Sequence, residues 1–320
     1  MKQQKILITG AFGQLGTALT EALITKYGSD AIVATDLNIR DEFTCTTIKL
    51  DATNIEALDE IVRQQKITQI YHLAAILSAK GEELPLQTWE LNNSTFFNVL
   101  EVARLNNIKK VFFPSSIAVF GPDARSEQVA TDFALHPTTV YGISKVAGEH
   151  WARYYNLKYG LDVRCLRYPG LISYQSLPGG GTTDYAVDIF HKAINGQDFV
   201  SYLKEDTQLP MLYMDDAIEA TLQLMEAPKE AIKTVGYNIQ GISFSPVELL
   251  TAIQKYIPDF TATYKPDHRQ AIAESWPISL DDKPAREEWG WKPKFDLDKM
   301  TQEMLNQLEF KKNNSQKLHA

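Results

Sequence analysis

Short apolar runs that end in small or polar residues alternate along the chain with stretches whose apolar positions recur every three or four residues. KILITG, Lys5 to Gly10, is the first such run and reads as a strand ending in a turn. The amphipathic GQLGTALTEALITKYG follows as a helix. Further strands are expected in AIVATD, TTIKLD, QIYHLAA, KKVFFPSS and LDVRCLRYPG. Helices are expected in NIEALDEIVRQQK, in LQTWELNNSTFFNVLEVARLNN and in the stretch that begins at Thr139. Strands that alternate with helices need right-handed crossovers, which predicts an α/β fold with a doubly wound parallel sheet. After about Ser173 the rhythm breaks and glycine and proline cluster in SLPGGGTTDY. The expected division is a first domain over 1–172 plus returning segments, and a smaller C-terminal region mainly over 173–310 that meets the substrate. The polar end KKNNSQKLHA, 311–320, reads as a frayed tail.

Composition narrows the class without naming a partner. Hydrophobic content of 44% and charged content of 22% suit a globular protein with a sizeable core. The net charge of -8 argues against a nucleic-acid partner. No apolar run reaches the roughly 18 residues of a membrane span, and the start lacks a signal-peptide pattern, so a cytoplasmic protein is expected. Cys45 and Cys165 are far apart and belong to no Cys/His cluster, which predicts no metal and a reducing compartment.

The first candidate chemistry is TGAFGQLG. Gly10, Gly13 and Gly16 stand between a strand and a helix, where missing side chains let a pyrophosphate reach the helix N-terminus. The alternative is a glycine-rich turn that binds nothing. Against it, Asp36 lies 20 positions beyond Gly16 at the end of the second strand, where an acid accepts hydrogen bonds from a ribose. A carboxylate there repels a 2'-phosphate, so NAD is expected rather than NADP. LDAT, 50–53, ends the third strand near the adenine, and HLAA, 72–75, offers small residues along the cofactor's path. His72 reads as a strand-end core residue before it reads as a catalyst.

The second is TVYGISKVAGEHW. Tyr141 and Lys145 are four apart and share one helix face. Lys145 can reach a nicotinamide ribose and lower the Tyr141 pKa through space. Half-ionising a phenol at neutral pH takes a shift of about three units, roughly 4 kcal/mol. Alone this spacing is common and mostly structural, but the glycine motif reverses those odds. Ser115 and Ser116 lie 26 and 25 residues before Tyr141, and strand alternation sends them to opposite faces. One of the two is expected to hold the reacting oxygen.

In this order these residues resemble the extended, UDP-galactose-epimerase-like branch of the short-chain dehydrogenase/reductase superfamily. YMDDAIEATLQLM and AREEWGWKPKFDL resemble that branch's later segments. LAAILSAKGEELP, PSSIAVFGP, RYPGLISY, PGGGTTDYAVDIFH and RQAIAESWP resemble its L-threonine 3-dehydrogenase family. The resemblance implies a Rossmann sheet and NAD held by Gly10, Gly13, Gln14, Leu15, Asp36, Leu37, Asp51, Ala52, Leu73, Ala74, Ala75, Tyr141, Lys145, Tyr168, Pro169 and Leu171. It implies that L-threonine meets Ser78, Ser115, Tyr141, Gly180, Thr182, Thr183 and Trp276. Oxidation at C3 to 2-amino-3-oxobutyrate follows, with Tyr141 as general base. A homodimer through a four-helix interface is also implied. Where sugar-modifying relatives carry an asparagine after the sixth strand, this chain has Pro169 and Gly170, which suits a compact substrate. A nucleotide-sugar epimerase or dehydratase and a non-catalytic NAD sensor are the competing expectations.

Overall fold

Ile6–Thr9 (β1) is buried at every position, as a strand covered by helices on both faces must be. The computed structural model describes residues 4–175, 177, 179 and 181–318. Beside β1 the chain lays down β2 (Ile32–Asp36), β3 (Thr46–Lys49), β4 (Gln69–His72), β5 (Lys110–Ser116) and β6 (Asp162–Tyr168). β7 (Gly170–Ile172), β8 (Phe199–Ser201), β9 (Leu209–Tyr213), β10 (Gly236–Asn238), β11 (Ile242–Phe244) and β12 (Ala262–Tyr264) follow. The seven-stranded sheet runs β10-β6-β5-β4-β1-β2-β3 with every pairing parallel, a doubly wound Rossmann order. Its order reverses between β1 and β4, so a crevice opens beyond their C-terminal ends.

Helices α1 (Gln14–Tyr27), α2 (Ile55–Gln64), α3 (Ser78–Glu83), α4 (Pro85–Leu105) and α5 (Val140–Tyr159) connect the first six strands. The later helices are α6 (Tyr185–Ile194), α7 (Met214–Glu226), α8 (Pro246–Gln254), α9 (His268–Glu274), α10 (Lys283–Trp289) and α11 (Leu297–Leu318). One face of the sheet packs α1 and α7 through Leu19, Leu23, Ala217 and Leu224. The other packs α2, α4 and α5 through Leu58, Phe96, Leu100 and Tyr155. A third apolar cluster lies under the later region, where Tyr185, Phe190, Leu249, Trp276 and Met304 meet.

The stretch read as a frayed tail is instead helical to Leu318. Its lysines explain the difference. Lys311 Nζ donates to the Tyr174 carbonyl at 3.1 Å, and Lys312 Nζ donates to the Ile194 carbonyl at 2.7 Å. The polar composition is the outer face of a helix anchored one turn earlier by buried Leu305 and Leu308. Among the described residues no helix is long and apolar enough to cross a membrane, and no cluster of three or more His, Cys, Asp or Glu residues is placed to hold a metal.

Candidate active site

The crevice is built at one end by backbone shape. Gly10 has φ of +71°, and a Cβ added to it would lie 2.7 Å from the Ala74 nitrogen. A Cβ on Gly16 would lie 2.2 Å from the Gly10 carbonyl oxygen, so α1 sits against the turn as only glycine allows. Gly13 caps α1 with no side-chain bond, and the buried Gln14 Nε2 beside it has no partner. Unsatisfied donors at a helix N-terminus fit the anionic pyrophosphate of a dinucleotide. Gly10, Gly13, Gln14, Leu15, Gly16, Leu73 and Ala75 line the cavity here.

Asp36 stands at the end of β2, where its Oδ2 accepts from the Phe12 amide at 3.1 Å and its Oδ1 from the Asn38 amide at 3.3 Å. Leu37 beside it is exposed. Asp51 accepts from the Thr53 amide and hydroxyl at 2.9 and 2.7 Å, and those bonds hold its carboxyl below the usual range. The Ala52 carbonyl accepts from Asn98 at 3.0 Å. Asp36, Leu37, Asp51, Ala52 and Ala74 lie beyond the lining of the central cavity.

The middle of the cavity belongs to α5. Thr139 caps it by accepting from the Gly142 amide at 3.1 Å. A Cβ on Gly142 would meet the Ala118 carbonyl oxygen at 2.1 Å, so the first turn presses against the end of β5 and brings Tyr141 to Ser116. The tyrosine keeps some surface open to the cavity, yet surrounding protein pushes its phenol up to about 12. A hydrogen bond with Ser116 pulls in the opposite direction. Lys145 Nζ donates to the Pro114 carbonyl at 2.7 Å and lies 5.3 Å from the centre of the Tyr141 ring. Burial pulls this lysine down to about 8, against the opposing fields of Cys165 and Glu149. The contact that lowers Tyr141 comes from Ser116, against the larger opposing effect of burial.

Both serines reach the cavity, contrary to the alternation argument. The strand ends at Ser116, whose Oγ accepts from the Ala118 amide at 3.2 Å as the chain tightens into a 3-10 turn over Ile117–Val119. Period-two alternation no longer holds where the strand gives way. Ser115 is buried and donates to Glu149.

At the far end, Ser78, Thr182, Thr183 and Trp276 converge from distant parts of the chain. Ser78 Oγ and Thr182 Oγ1 are 3.5 Å apart. Thr183 packs so closely on Gly170 that a Cβ there would come within 2.8 Å of it. Gly180 lies outside the described residues. The amides of Gly179 and Gly181 donate to Asp184 Oδ2 at 2.7 and 2.8 Å, so the loop's own carboxylate takes these two donors. Tyr168, Pro169 and Leu171 close the wall between the two ends. His72 is buried, 2.8 Å from Thr9 Oγ1 through Nδ1, and burial followed by the Lys145 field lowers it to about 3. It is a neutral core residue. Sequence reasoning missed Leu77, Ile117 and Asp184 in the lining, and Glu149 behind it. The Glu149 signal was present, since it follows Lys145 by four on the same helix face.

The profile of the family described as NAD dependent epimerase/dehydratase matches residues 6–239. The chain belongs to that family. NAD is its cofactor, and the chain is an NAD-dependent oxidoreductase. It is 44% identical to the mitochondrial L-threonine 3-dehydrogenase of Bos taurus over 95% of this chain and 82% of that one. The holo form of the GalE-like L-threonine dehydrogenase from Cupriavidus necator superposes with a TM-score of 0.94 at 49% identity, covering 95% of this chain and 99% of that one. A monomeric L-threonine 3-dehydrogenase from a metagenome gives 0.93 at 48% identity over 95% and 99% of the two chains.

Proposed function

We propose that the protein oxidises L-threonine at C3 to 2-amino-3-oxobutyrate. The observation that carries this reading is that Tyr141, Lys145 and Ser116 line one cavity with the glycine turn, with Lys145 Nζ 5.3 Å from the centre of the Tyr141 ring. The names of the relatives supply the substrate. Bound NAD provides the hydride acceptor. Tyr141 takes the proton of the C3 hydroxyl while Ser116 holds that oxygen in place. In the substrate one C–H and one O–H bond break and a C=O bond forms.

Burial raises the Tyr141 phenol to about 12, so its ionised form is more populated at higher pH and turnover is expected to rise on the alkaline side. Gly10, Gly13, Gln14, Leu15 and Gly16 hold the pyrophosphate, and Asp36 faces the adenosine ribose. Ser78, Ser115, Thr182, Thr183 and Trp276 enclose the amino acid. Thr183 packs against Gly170 and narrows the cavity there, which supports a compact substrate.

A homodimer and a cytoplasmic location belong to the same reading. On α4 and α5, Trp89, Trp151, Tyr154 and Leu157 are exposed, with Leu157 at 78%. That face supports pairing with a second copy, and a monomeric mass by light scattering would count against it. Free thiols at Cys45 and Cys165 fit a reducing compartment.

Pure protein incubated with NAD and L-threonine should accumulate NADH, read by its ultraviolet absorbance. Conversion of a UDP-sugar with no net NADH would favour an epimerase. NAD binding without turnover of either compound would favour a sensor.

A further inference from the structure

Tyr141, Lys145 and Glu149 succeed one another at intervals of four along α5, so all three side chains point toward the sheet. Glu149 reaches the end of the sheet behind the cavity. There it meets Arg167 of β6, which is in direct register with Ser115 of β5. The contact is a two-point fork: Arg167 Nε donates to Glu149 Oε1 at 2.9 Å and the Nη2 to Oε2 at 2.7 Å. The remaining Arg167 nitrogen, Nη1, donates to the Thr131 carbonyl at 2.6 Å and to Asn238 Oδ1 at 3.3 Å. Both members of the pair are buried. A fork of this kind fixes the plane of the carboxylate as well as its position. Gly236 of β10 makes room for it, since a Cβ there would lie 2.8 Å from Glu149 Oε2.

Ser115 Oγ donates to Glu149 Oε1 at 2.5 Å. A hydroxyl has one proton and two lone pairs. With its proton committed to a buried carboxylate, Ser115 can present only lone pairs to the cavity it lines. Its neighbour Ser116, which accepts from the Ala118 amide, has no such commitment and lines the same cavity as Tyr141. The two adjacent hydroxyls are thereby set to opposite tasks.

We propose that Glu149, clamped by Arg167, is a positioning residue that turns the Ser115 proton away from the substrate and makes the Ser115 oxygen an acceptor for the substrate's ammonium group. This rests on the reading of the protein as an amino-acid dehydrogenase. It assigns a source of selectivity for 3-hydroxy amino acids over 3-hydroxy acids without nitrogen. An alcohol lacking the ammonium leaves the Ser115 lone pairs unmet, while a group that can only accept hydrogen bonds is repelled.

The test is a double-mutant cycle on the full-length protein, read as KM for L-threonine, kcat and NAD affinity. Ser115→Ala alone should raise KM about tenfold or more, the worth of a hydrogen bond to a charged group, and leave NAD affinity unchanged. Glu149→Gln should raise KM on its own and add nothing in the Ser115→Ala background, because it acts through that hydroxyl. If Glu149→Gln does not fold, Gly236→Ala displaces the same carboxylate from another strand and should show the same loss of effect in the Ser115→Ala background. Ser115→Ala should also leave inhibition by 3-hydroxybutyrate unchanged. Additive effects in the cycle, or equal weakening of threonine and 3-hydroxybutyrate, would overturn the assignment while leaving threonine oxidation intact. An unmodified protein that binds NAD and does not oxidise threonine would remove the functional reading, and this assignment with it.

Discussion

The two ends of the cavity are made by different means. The cofactor end consists of backbone: a turn with positive φ at Gly10, a helix start without a side-chain cap, and strand ends carrying small residues. The other end consists of side chains drawn from Ser78, Ser115, Thr182, Thr183 and Trp276, which approach one another only in the folded chain. Backbone shape demands particular residues at fixed local spacing, whereas converging side chains leave no local period. The first half is therefore legible in sequence and the second is not.

The largest test falls where the halves meet. Tyr141→Phe should lower kcat by about 100-fold or more, the usual scale for losing a general base, with NAD affinity unchanged in a fluorescence titration. Near-normal turnover in a folded Tyr141→Phe protein would remove the phenol from the reaction and separate the two ends. Gly16→Ala addresses the backbone half alone. Its new Cβ would press on the Gly10 carbonyl oxygen, and an overpacked turn of this kind should weaken NAD by roughly tenfold or more. A Kd for NAD equal to that of the unmodified protein would show that the turn does not shape the site.

Asp36→Ala is expected to act on selectivity more than on affinity. The ratio of kcat/KM for NAD over NADP should narrow by roughly tenfold, about 1.4 kcal/mol. If the unmodified protein uses both cofactors equally, Asp36 does not face the ribose. The last effect concerns stability rather than the reaction. His72 titrates at about 3 in the folded protein against an ordinary 6.5, because burial and then Lys145 oppose its charge. The unfolded chain thus binds the extra proton between those values, so stability is complete above 6.5 and falls as the pH drops toward 3. The loss at acid pH is at most about 5 kcal/mol. His72→Gln should flatten that part of the curve in urea titrations at stepped pH; an unchanged slope would place the acid sensitivity elsewhere.

The parallel sheet was legible because its strands are continuous apolar runs ended by glycine or small residues, from KILITG to LDVRCLRYPG. Asp36 and the glycine spacing pointed to the dinucleotide for the same local reasons. The serines were harder. Alternation predicts opposite faces for Ser115 and Ser116, but that rule lapses at the last residues of β5, where the chain turns. The Gly-Thr loop could be located and its donors could not, since only the fold shows Asp184 accepting from Gly179 and Gly181. The polar end concealed a helix because long lysine side chains find carbonyl partners across the chain that composition does not encode.

β10 joins the sheet beside β6 although 67 residues separate Tyr168 from Gly236. During synthesis, β6 therefore leaves the ribosome as an unpaired sheet edge and stays so until the chain reaches Asn238. An open parallel edge is a template for pairing with other chains. The long interval also makes this the contact with a high loop-closure cost, which slows completion of the sheet. A chain ended near residue 172 would keep the glycine turn, Tyr141 and Lys145, but would lack the strand that covers β6 and the glycine that accommodates Glu149. The partially made protein is consequently most prone to aggregate in the interval between translation of β6 and arrival of β10.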